Sequence, residues 1–334
     1  PIVQELLEQG AEVILASNGR AFELLKKEFP EIPIEKLPAY DIWYRSGNMF
    51  WNIGLQLPKI AIAIWQEHRV LKTLIAKHRI DAVISDNRYG CFSRNVKSVF
   101  VTHQLNILIP NFLLQKMVNR INRQLIRRFD ECWIPDINGT DNLSGDLTKS
   151  STAIPTKFIG VLSRMKLLNV PKKYDVAIVL SGPEPQRTLL EELIVAQAKS
   201  LPFQFLVVQG KTEVFLEFQA AQNIHIISFL TGEALNQVLA VAGIVICRSG
   251  YSSVMDLAML GKKAIFVPTP GQTEQEYLAK RFFEKGIFFY QKQRELNLSE
   301  ALEKVQQFSG LNNETYIISQ QVLKKIIQDF SETF

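Results

Sequence analysis

Apolar positions in this chain come in short continuous runs, separated by longer stretches in which they recur with a helical period. The runs fall at 13–16, 34–37, 82–85, 99–102 and 132–135, then again at 176–180, 205–208, 224–227, 245–247 and 264–267. Runs this short, bounded by Gly, Pro, Asn or Ser, fit strands covered on both faces. Helical patterns fall between them, at 1–9, 21–28, 49–78 with a break near Pro58, 112–129, 187–198, 234–242, 253–260, 274–285 and 298–307. A last helix over 314–330 closes the chain. Strands alternating with helices predict βαβ units and parallel sheets.

Residues 136–155 are polar and turn-rich, as expected of a boundary. The pattern therefore predicts two Rossmann-like, doubly wound α/β domains facing a cleft, over 1–155 and 156–312. The helix of 313–334 is expected to pack back on the first domain. A length of 334 residues also favours two cores over one. The chain opens with Pro1 inside a helical pattern closed by Gly10. A doubly wound domain starts with a strand and a glycine-rich turn, so the N-terminus reads as clipped.

Composition changes this picture little. The chain is 47% hydrophobic and 21% charged, and its net charge of +5 is too mild for nucleic acid as the main ligand. Cys91, Cys132 and Cys247 are scattered among apolar residues. That pattern fits buried thiols in a reducing compartment, with neither a disulfide framework nor a metal site. No apolar run reaches the roughly 18 residues that span a bilayer. The longest, 53–65, is broken by Gln56, Pro58 and Lys59. The expected location is the cytoplasm.

Candidate chemistry concentrates at two strand ends. The run ending at Cys247 leads into Arg248-Ser249-Gly250-Tyr251-Ser252-Ser253, and Asp256 follows about one helical turn later. The next run ends at Pro268, and its loop carries Gln272, Glu274, Gln275 and Glu276. Open α/β sheets bind ligands at such strand ends. A helix N-terminus with free N–H groups suits a phosphate, and a nearby carboxylate suits ribose hydroxyls. Asp256 also has a plain reading, as an acid that favours its helix dipole. Together these features predict a nucleoside-diphosphate site.

Arg-Ser-Gly, three residues, then Val-Met-Asp, with Gln275-Glu276 some way downstream, resembles the donor signature of the GT-B glycosyltransferases, and of their MurG-like group in particular. Leu180-Ser181-Gly182 matches that group's Gly-Gly-Ser loop, and Ile159-Gly160 with Arg164 its interdomain segment. Thr102-His103-Gln104-Leu105-Asn106 is similar to its His-Glu-Gln-Asn. Ser-Asp-Asn-Arg-Tyr-Gly (85–90) and Leu-Ser-Gly-Pro-Glu-Pro-Gln-Arg (180–187) are closer still to a subset of MurG-related transferases. Three positions depart from the pattern: Asp256 for Glu, Glu276 for Gln and Ala279 for Asn.

The resemblance implies an inverting sugar transfer from a UDP-sugar, with no cofactor and no metal. Asp256 would hold the ribose, while Ser181, Gly182, Ser249, Gly250, Tyr251, Ser252 and Ser253 would surround the diphosphate. Gln275 and Glu276 would bind the sugar, Arg164 would neutralise the nucleotide or fix the linker, and Leu230 would offer backbone atoms to the base. Gly210 reads as a loop glycine. The family's usual base lies in the missing N-terminal loop, which leaves His103 and Asp86 as candidates. His68, His78 and His225 read as structural.

The first domain would bind the acceptor, a polyprenyl-linked sugar or another glycan. Segments 40–65 and 107–129 combine apolar or aromatic residues with basic ones, including Leu113, Leu114, Met117, Ile121 and Leu125 beside Lys116, Arg120, Arg123, Arg127 and Arg128. A basic amphipathic helix suits an anionic membrane face, and equally a core helix with one solvated side. Two other functions fit the fold: a UDP-sugar 2-epimerase, or a sugar-nucleotide-binding protein that has lost activity.

Overall fold

The computed structural model describes residues 1–39, 57–212 and 214–333. The expected helix over 49–56 and the aromatic residues of 40–56 lie outside them. The chain divides into two compact units, Pro1–Gly160 with Ser319–Phe334, and Val161–Ile318.

The first unit runs α1 (Ile2–Glu8), β1 (Leu15–Ser17), α2 (Gly19–Glu28), β2 (Ile34–Lys36), α3 (Leu57–His78), β3 (Ala82–Asp86), β4 (Lys97–Val101), α4 (Phe112–Ile126), β5 (Glu131–Ile134) and β6 (Thr156–Phe158). Strands β3 to β6 form one parallel sheet in sequence order, and β1 pairs with β2 in a separate parallel ladder. Its core gathers Phe100, Leu105, Ile126, Phe129, Cys132 and Ile134. Arg88, just beyond β3, ties the ladder to the sheet. Its guanidinium donates to Asn18 Oδ1 at 3.1 Å and to the Pro38 carbonyl at 2.6 Å, and it pairs with the fully buried Glu67 of α3 at 2.6 Å.

The boundary expected at 155/156 moves to Gly160/Val161, because 156–158 pairs with β5. The polar stretch 136–155 is a folded loop rather than a linker. The buried Asp136 carboxylate accepts from the N–H groups of Ile137, Leu143 and Ser144 and from the Ser144 hydroxyl, which satisfies the loop from inside. Gly160 has φ +80, and a Cβ there would lie 2.2 Å from the Ser319 carbonyl, so only glycine fits. Residue 319 lies in α10 (Asn313–Ser331), whose Phe330 ring packs edge-on against Trp133 at 5.2 Å.

The second unit runs β7 (Tyr174–Val179), α5 (Gln186–Ala198), β8 (Phe205–Val208), β9 (Glu217–Ala221), β10 (Ile224–Ile227), α6 (Gly232–Ala240), β11 (Ala242–Cys247), α7 (Tyr251–Leu260), β12 (Lys263–Phe266), α8 (Thr273–Glu284), β13 (Phe289–Tyr290) and α9 (Leu298–Lys304). The sheet order is β13-β12-β11-β7-β8-β10-β9, with every pairing parallel except that of the edge strand β9. Val176, Ile178, Phe205, Val207, Ile246 and Ile265 are buried in its core, as parallel strands covered on both faces require. The antiparallel β9 has no counterpart in the predicted strands. From β7 the chain builds outward to β8 and β10 on one side, then returns to build β11, β12 and β13 on the other. The order reverses between β7 and β11, and that switch point is where an open α/β sheet binds its ligand.

Candidate functional site

The loops after β7 and β11 flank the switch point. After β7 the chain passes through Ser181 and Gly182, both exposed, with Gly182 at φ +99. The loop after β8 meets this turn closely, since a Cβ on Gly210 would lie 2.5 Å from the Leu180 carbonyl. Gly210 is thus a close-approach glycine. Arg187 braces the same place, donating from Nη1 to the Gly210 carbonyl at 2.6 Å.

After β11, Gly250 caps α7 with extended backbone, and nothing lies within 4 Å of where its Cβ would be. The first-turn N–H groups of any helix lack intrahelical acceptors. With open space at Gly250, Ser252 exposed and Ser253 half-buried, this end of α7 is accessible. Two neighbours depart from expectation. Ser249 is fully buried and its hydroxyl donates to the Gln275 carbonyl at 2.7 Å, so it fastens the turn to α8. Tyr251 is 3% exposed, and its ring belongs to the core. Both side chains are buried, so the expected contact of these two residues with a diphosphate would run through backbone N–H groups.

Asp256, on the second turn of α7, is half-buried and accepts from Ser163 Oγ at 2.6 Å. Ser163 and Arg164 reach it from the start of this unit, 93 positions away in sequence for the bonded pair. Burial pushes the Asp256 carboxyl up to about 6, against the opposing pull of the Ser163 hydrogen bond and the Arg164 charge. Arg164 is itself exposed. The sequence had no signal for Ser163 beyond its place next to Arg164.

The loop after β12 is held by its own side chains. Gln275 Oε1 accepts from the Thr269 N–H at 2.8 Å, and its Nε2 donates to Gln272 Oε1 at 2.5 Å. Glu276 is exposed and accepts from the Gly271 N–H at 3.1 Å. Gln275 therefore shapes this loop before it binds anything. Leu230 is half-buried just beyond β10, two strand positions from β7, or about 10 Å at ordinary strand spacing.

In the first unit, Asp86 and His103 share one sheet edge, since Asp86 is in register with Val101 and His103 follows two residues later. The Asp86 carboxyl is raised by desolvation and partly drawn back by the charge of His103. The other histidines have structural partners. His68 stacks on Phe92 at 4.2 Å, His78 meets Glu35 at 2.8 Å, and His225 meets Glu217 at 3.0 Å.

Helix α4 follows this edge. Its buried face carries Asn119, Asn122 and Ile126, while Phe112 (66%), Leu113 (77%), Met117 (49%) and Ile121 (40%) are exposed. Lys116, Arg120 and Arg127 are exposed beside them. Leu114 and Leu125 of the same stripe are half-buried. Asn119 accepts from the Ile107 N–H at 2.7 Å and donates to the Ile107 carbonyl, and Asn122 donates to the carbonyls of Gln104 and Leu105. The inward asparagines thus hold the loop that carries His103.

The second unit thus joins an open, mostly parallel sheet to an exposed helix end at its switch point, with a half-buried carboxylate one turn into that helix, and comparison with known proteins gives this arrangement its class. Residues 184–330 match the glycosyltransferase family 28 C-terminal domain. An uncharacterised glycosyltransferase of Methanopyrus kandleri is 20% identical over 91% of this chain and 90% of its own length. The UDP-N-acetylglucosamine–N-acetylmuramyl-(pentapeptide) pyrophosphoryl-undecaprenol N-acetylglucosamine transferase of Haemophilus ducreyi is 24% identical over 83% of this chain and 76% of its own. The crystal structure of MurG from Acinetobacter baumannii shares the fold, with a TM-score of 0.58 at 16% identity over 99% of this chain and 94% of that one. The chain is a MurG-like glycosyltransferase.

Proposed function

We propose that the second unit binds a UDP-sugar, with N-acetylglucosamine or another hexose as the sugar, and that the first unit supplies the acceptor site and the base. The observation that carries this is Asp256, a half-buried carboxylate braced by Ser163 one turn behind the open end of α7. Ser181, Gly182, Gly250, Ser252 and Ser253 supply hydroxyls and N–H groups for the diphosphate, with Arg164 nearby. Gln275 and Glu276 border the sugar, and Leu230 borders the base. The similarity to transferases named for UDP-N-acetylglucosamine supports uridine as the nucleoside.

The reaction is a single displacement with inversion. The acceptor oxygen forms a bond to the anomeric carbon as the bond to the diphosphate breaks, and the electron pair leaves on UDP. The acceptor proton passes to His103, which shares its sheet edge with Asp86. Incubation with labelled UDP-N-acetylglucosamine and a polyprenyl-diphosphate-linked acceptor tests the reading. Transfer supports it, a free epimer points to a 2-epimerase, and tight binding without turnover points to an inactive binding protein.

A pH dependence follows from Asp256. Ribose hydroxyls donate to a carboxylate, so the donor selects the ionised form, while the free protein holds this group up to about 6. Affinity for a UDP-sugar should be level above about pH 7 and fall by about tenfold per unit well below 6. The diphosphate diester does not titrate in this window, so the change reports on the protein. Titration calorimetry on wild type and Asp256→Asn checks it, and an unchanged pH profile in the variant would contradict it.

We further propose that the enzyme works at the inner face of the cell membrane, with α4 as its contact. Among the described residues no helix is long and apolar enough to cross a bilayer. An exposed Phe112, Leu113, Met117 and Ile121 with Lys116, Arg120 and Arg127 fits an anionic lipid surface, which takes apolar side chains below its phosphates and pairs cations with them. Leu113→Glu with Met117→Glu should lower co-sedimentation with phosphatidylglycerol vesicles by at least about tenfold, given the apolar area lost from the lipid. Equal sedimentation would remove α4 from the account.

A further inference from the structure

Strands β3 to β6 run parallel, so their carboxyl ends share one edge of the first unit's sheet. The loops at that edge turn their donors inward. After β3, the N–H of Asn87 donates to the Val101 carbonyl at 3.1 Å, that of Gly90 to Glu67 Oε2 at 3.2 Å and that of Cys91 to the Arg88 carbonyl at 3.2 Å. After β4, the Gln104 N–H donates to Thr102 Oγ1 at 3.0 Å and the Ile107 N–H to Asn119 Oδ1 at 2.7 Å. After β5, the Asp136 carboxylate takes the N–H groups of Ile137, Leu143 and Ser144. The cations are engaged in the same way. Arg88 is held by Glu67, Asn18 and Pro38, and Lys149 pairs with Asp146 at 2.6 Å.

Two side chains stand outside this network. Asp86 and Asn87 are exposed at the start of the turn after β3, and neither side chain makes a hydrogen bond among the described residues. Asn87 has φ +53, in the left-handed region that asparagine tolerates better than most residues. Desolvation raises the Asp86 carboxyl, so protein atoms crowd it although it is open to solvent.

A carboxylate only accepts hydrogen bonds, whereas an amide both donates and accepts. Two neighbouring sugar hydroxyls complement such a pair, one donating to Asp86 and the other accepting from the Asn87 amide. A phosphate offers acceptors alone and would meet a carboxylate of its own charge, while the N–H groups and guanidinium that could hold it face inward. A few placed polar groups of this kind set the specificity of a site.

We propose that the first unit takes an uncharged sugar as its acceptor, held at Asp86 and Asn87 by two neighbouring hydroxyls, and that no phosphate is recognised at this edge. The inference rests on the first unit being the acceptor side. His103, on the same edge, receives the proton of the attacking hydroxyl, and Asn87 selects the sugars that can present one. A diphosphate carried by the acceptor adds nothing to its recognition here.

The test is ligand-observed NMR titration of the methyl glycosides of glucose, galactose, mannose and N-acetylglucosamine, and of the matching sugar 1-phosphates, with UDP present to fill the second unit. Methyl glycosides keep the apolar stripe of α4 out of the measurement. Wild type should bind at least one methyl glycoside, and more tightly than the matching 1-phosphate. Asn87→Gly keeps a residue suited to positive φ, so its unfolding temperature and UDP affinity should hold. Its affinity for the glycoside should fall by about five- to tenfold, the effect of one net hydrogen bond. Asp86→Asn removes the repelling charge and should narrow the preference for glycoside over 1-phosphate, which a structural role would leave alone. The inference is overturned if wild type binds no glycoside, if the 1-phosphate binds as tightly or more so, or if Asn87→Gly keeps full glycoside affinity. Should Asn87→Gly not fold, Asp86→Asn decides, a narrowed preference supporting the inference and an unchanged one refuting it. Calorimetry with UDP stands apart from this result. A protein that binds a glycoside but not UDP loses the donor reading and keeps the acceptor one.

Discussion

Asp256→Ala is expected to weaken binding of a UDP-sugar on the order of a hundredfold. A carboxylate held in a partly dry site accepts charge-assisted hydrogen bonds worth about 1.5–3 kcal/mol each. Two ribose hydroxyls meeting Asp256 at the low end of that range give about 3 kcal/mol, or two factors of ten. The loss should not come from unfolding. A carboxyl raised to about 6 in the folded protein contributes stability fully present below its ordinary value near 4, and that stability is lost as pH rises through 6. At neutral pH the ligand-free protein therefore carries an ionised, poorly solvated Asp256, and Asp256→Asn should be as stable as wild type or more so. The check is calorimetry with UDP and its 2′-deoxy analogue. Wild type should prefer the ribose form and Asp256→Ala should not. Equal discrimination in both proteins would leave Asp256 as a helix residue.

Glu67→Ala should be the most damaging single change in the first unit. Glu67 is fully buried, and its carboxylate accepts from Arg88 Nε at 2.6 Å and from the Gly90 N–H at 3.2 Å. Arg88 holds Asn18 and the Pro38 carbonyl from the same guanidinium, so this pair joins α3, the β1–β2 ladder and the turn after β3. Removing one partner of a buried ion pair costs about 3–5 kcal/mol, because the other charge stays behind unpaired. Unfolding should shift down by on the order of 10 °C. The turn at stake directly follows Asp86, proposed above as the neighbour of the base, so turnover should fall even where the variant remains folded. A double change, Glu67→Met with Arg88→Met, should recover part of the stability, since apolar replacement of the whole pair removes the stranded charge. A single variant that melts within about 2 °C of wild type would contradict this account.

These effects trace back to how the sequence encodes the fold. Five strands of the second unit (β7, β8, β10, β11 and β12) were legible as continuous apolar runs because both faces of that sheet are covered, whereas the edge strands β9 and β13 were not; the starts of α7 and α8 were legible from the glycine and polar residues before them. The switch point was not, since strand order depends on which strands pair across space. Ser163 was missed for the same reason, because its bond to Asp256 spans 93 positions. The face of α4 was legible as a stripe, with its direction left open between a membrane surface and the core. A 3.6-residue apolar period ordinarily marks the buried side, whereas here Asn119 and Asn122 turn inward to satisfy the backbone of 104–107. Ser249 and Tyr251 looked like site residues because they sit in the turn that opens α7, and their side chains are buried there. The stretch 136–155 looked like a linker because a buried carboxylate, Asp136, replaces the apolar residues by which a folded segment is usually recognised.

The central claim is that the second unit of this glycosyltransferase holds a nucleoside diphosphate at its switch point. Thermal unfolding in the presence of UDP, GDP and TDP tests it most directly. UDP at about a hundred times its Kd should stabilise the protein by about 2.7 kcal/mol, with a smaller shift in Asp256→Ala at the same concentration. If none of the three diphosphates raises the unfolding temperature, the donor site proposed here does not exist.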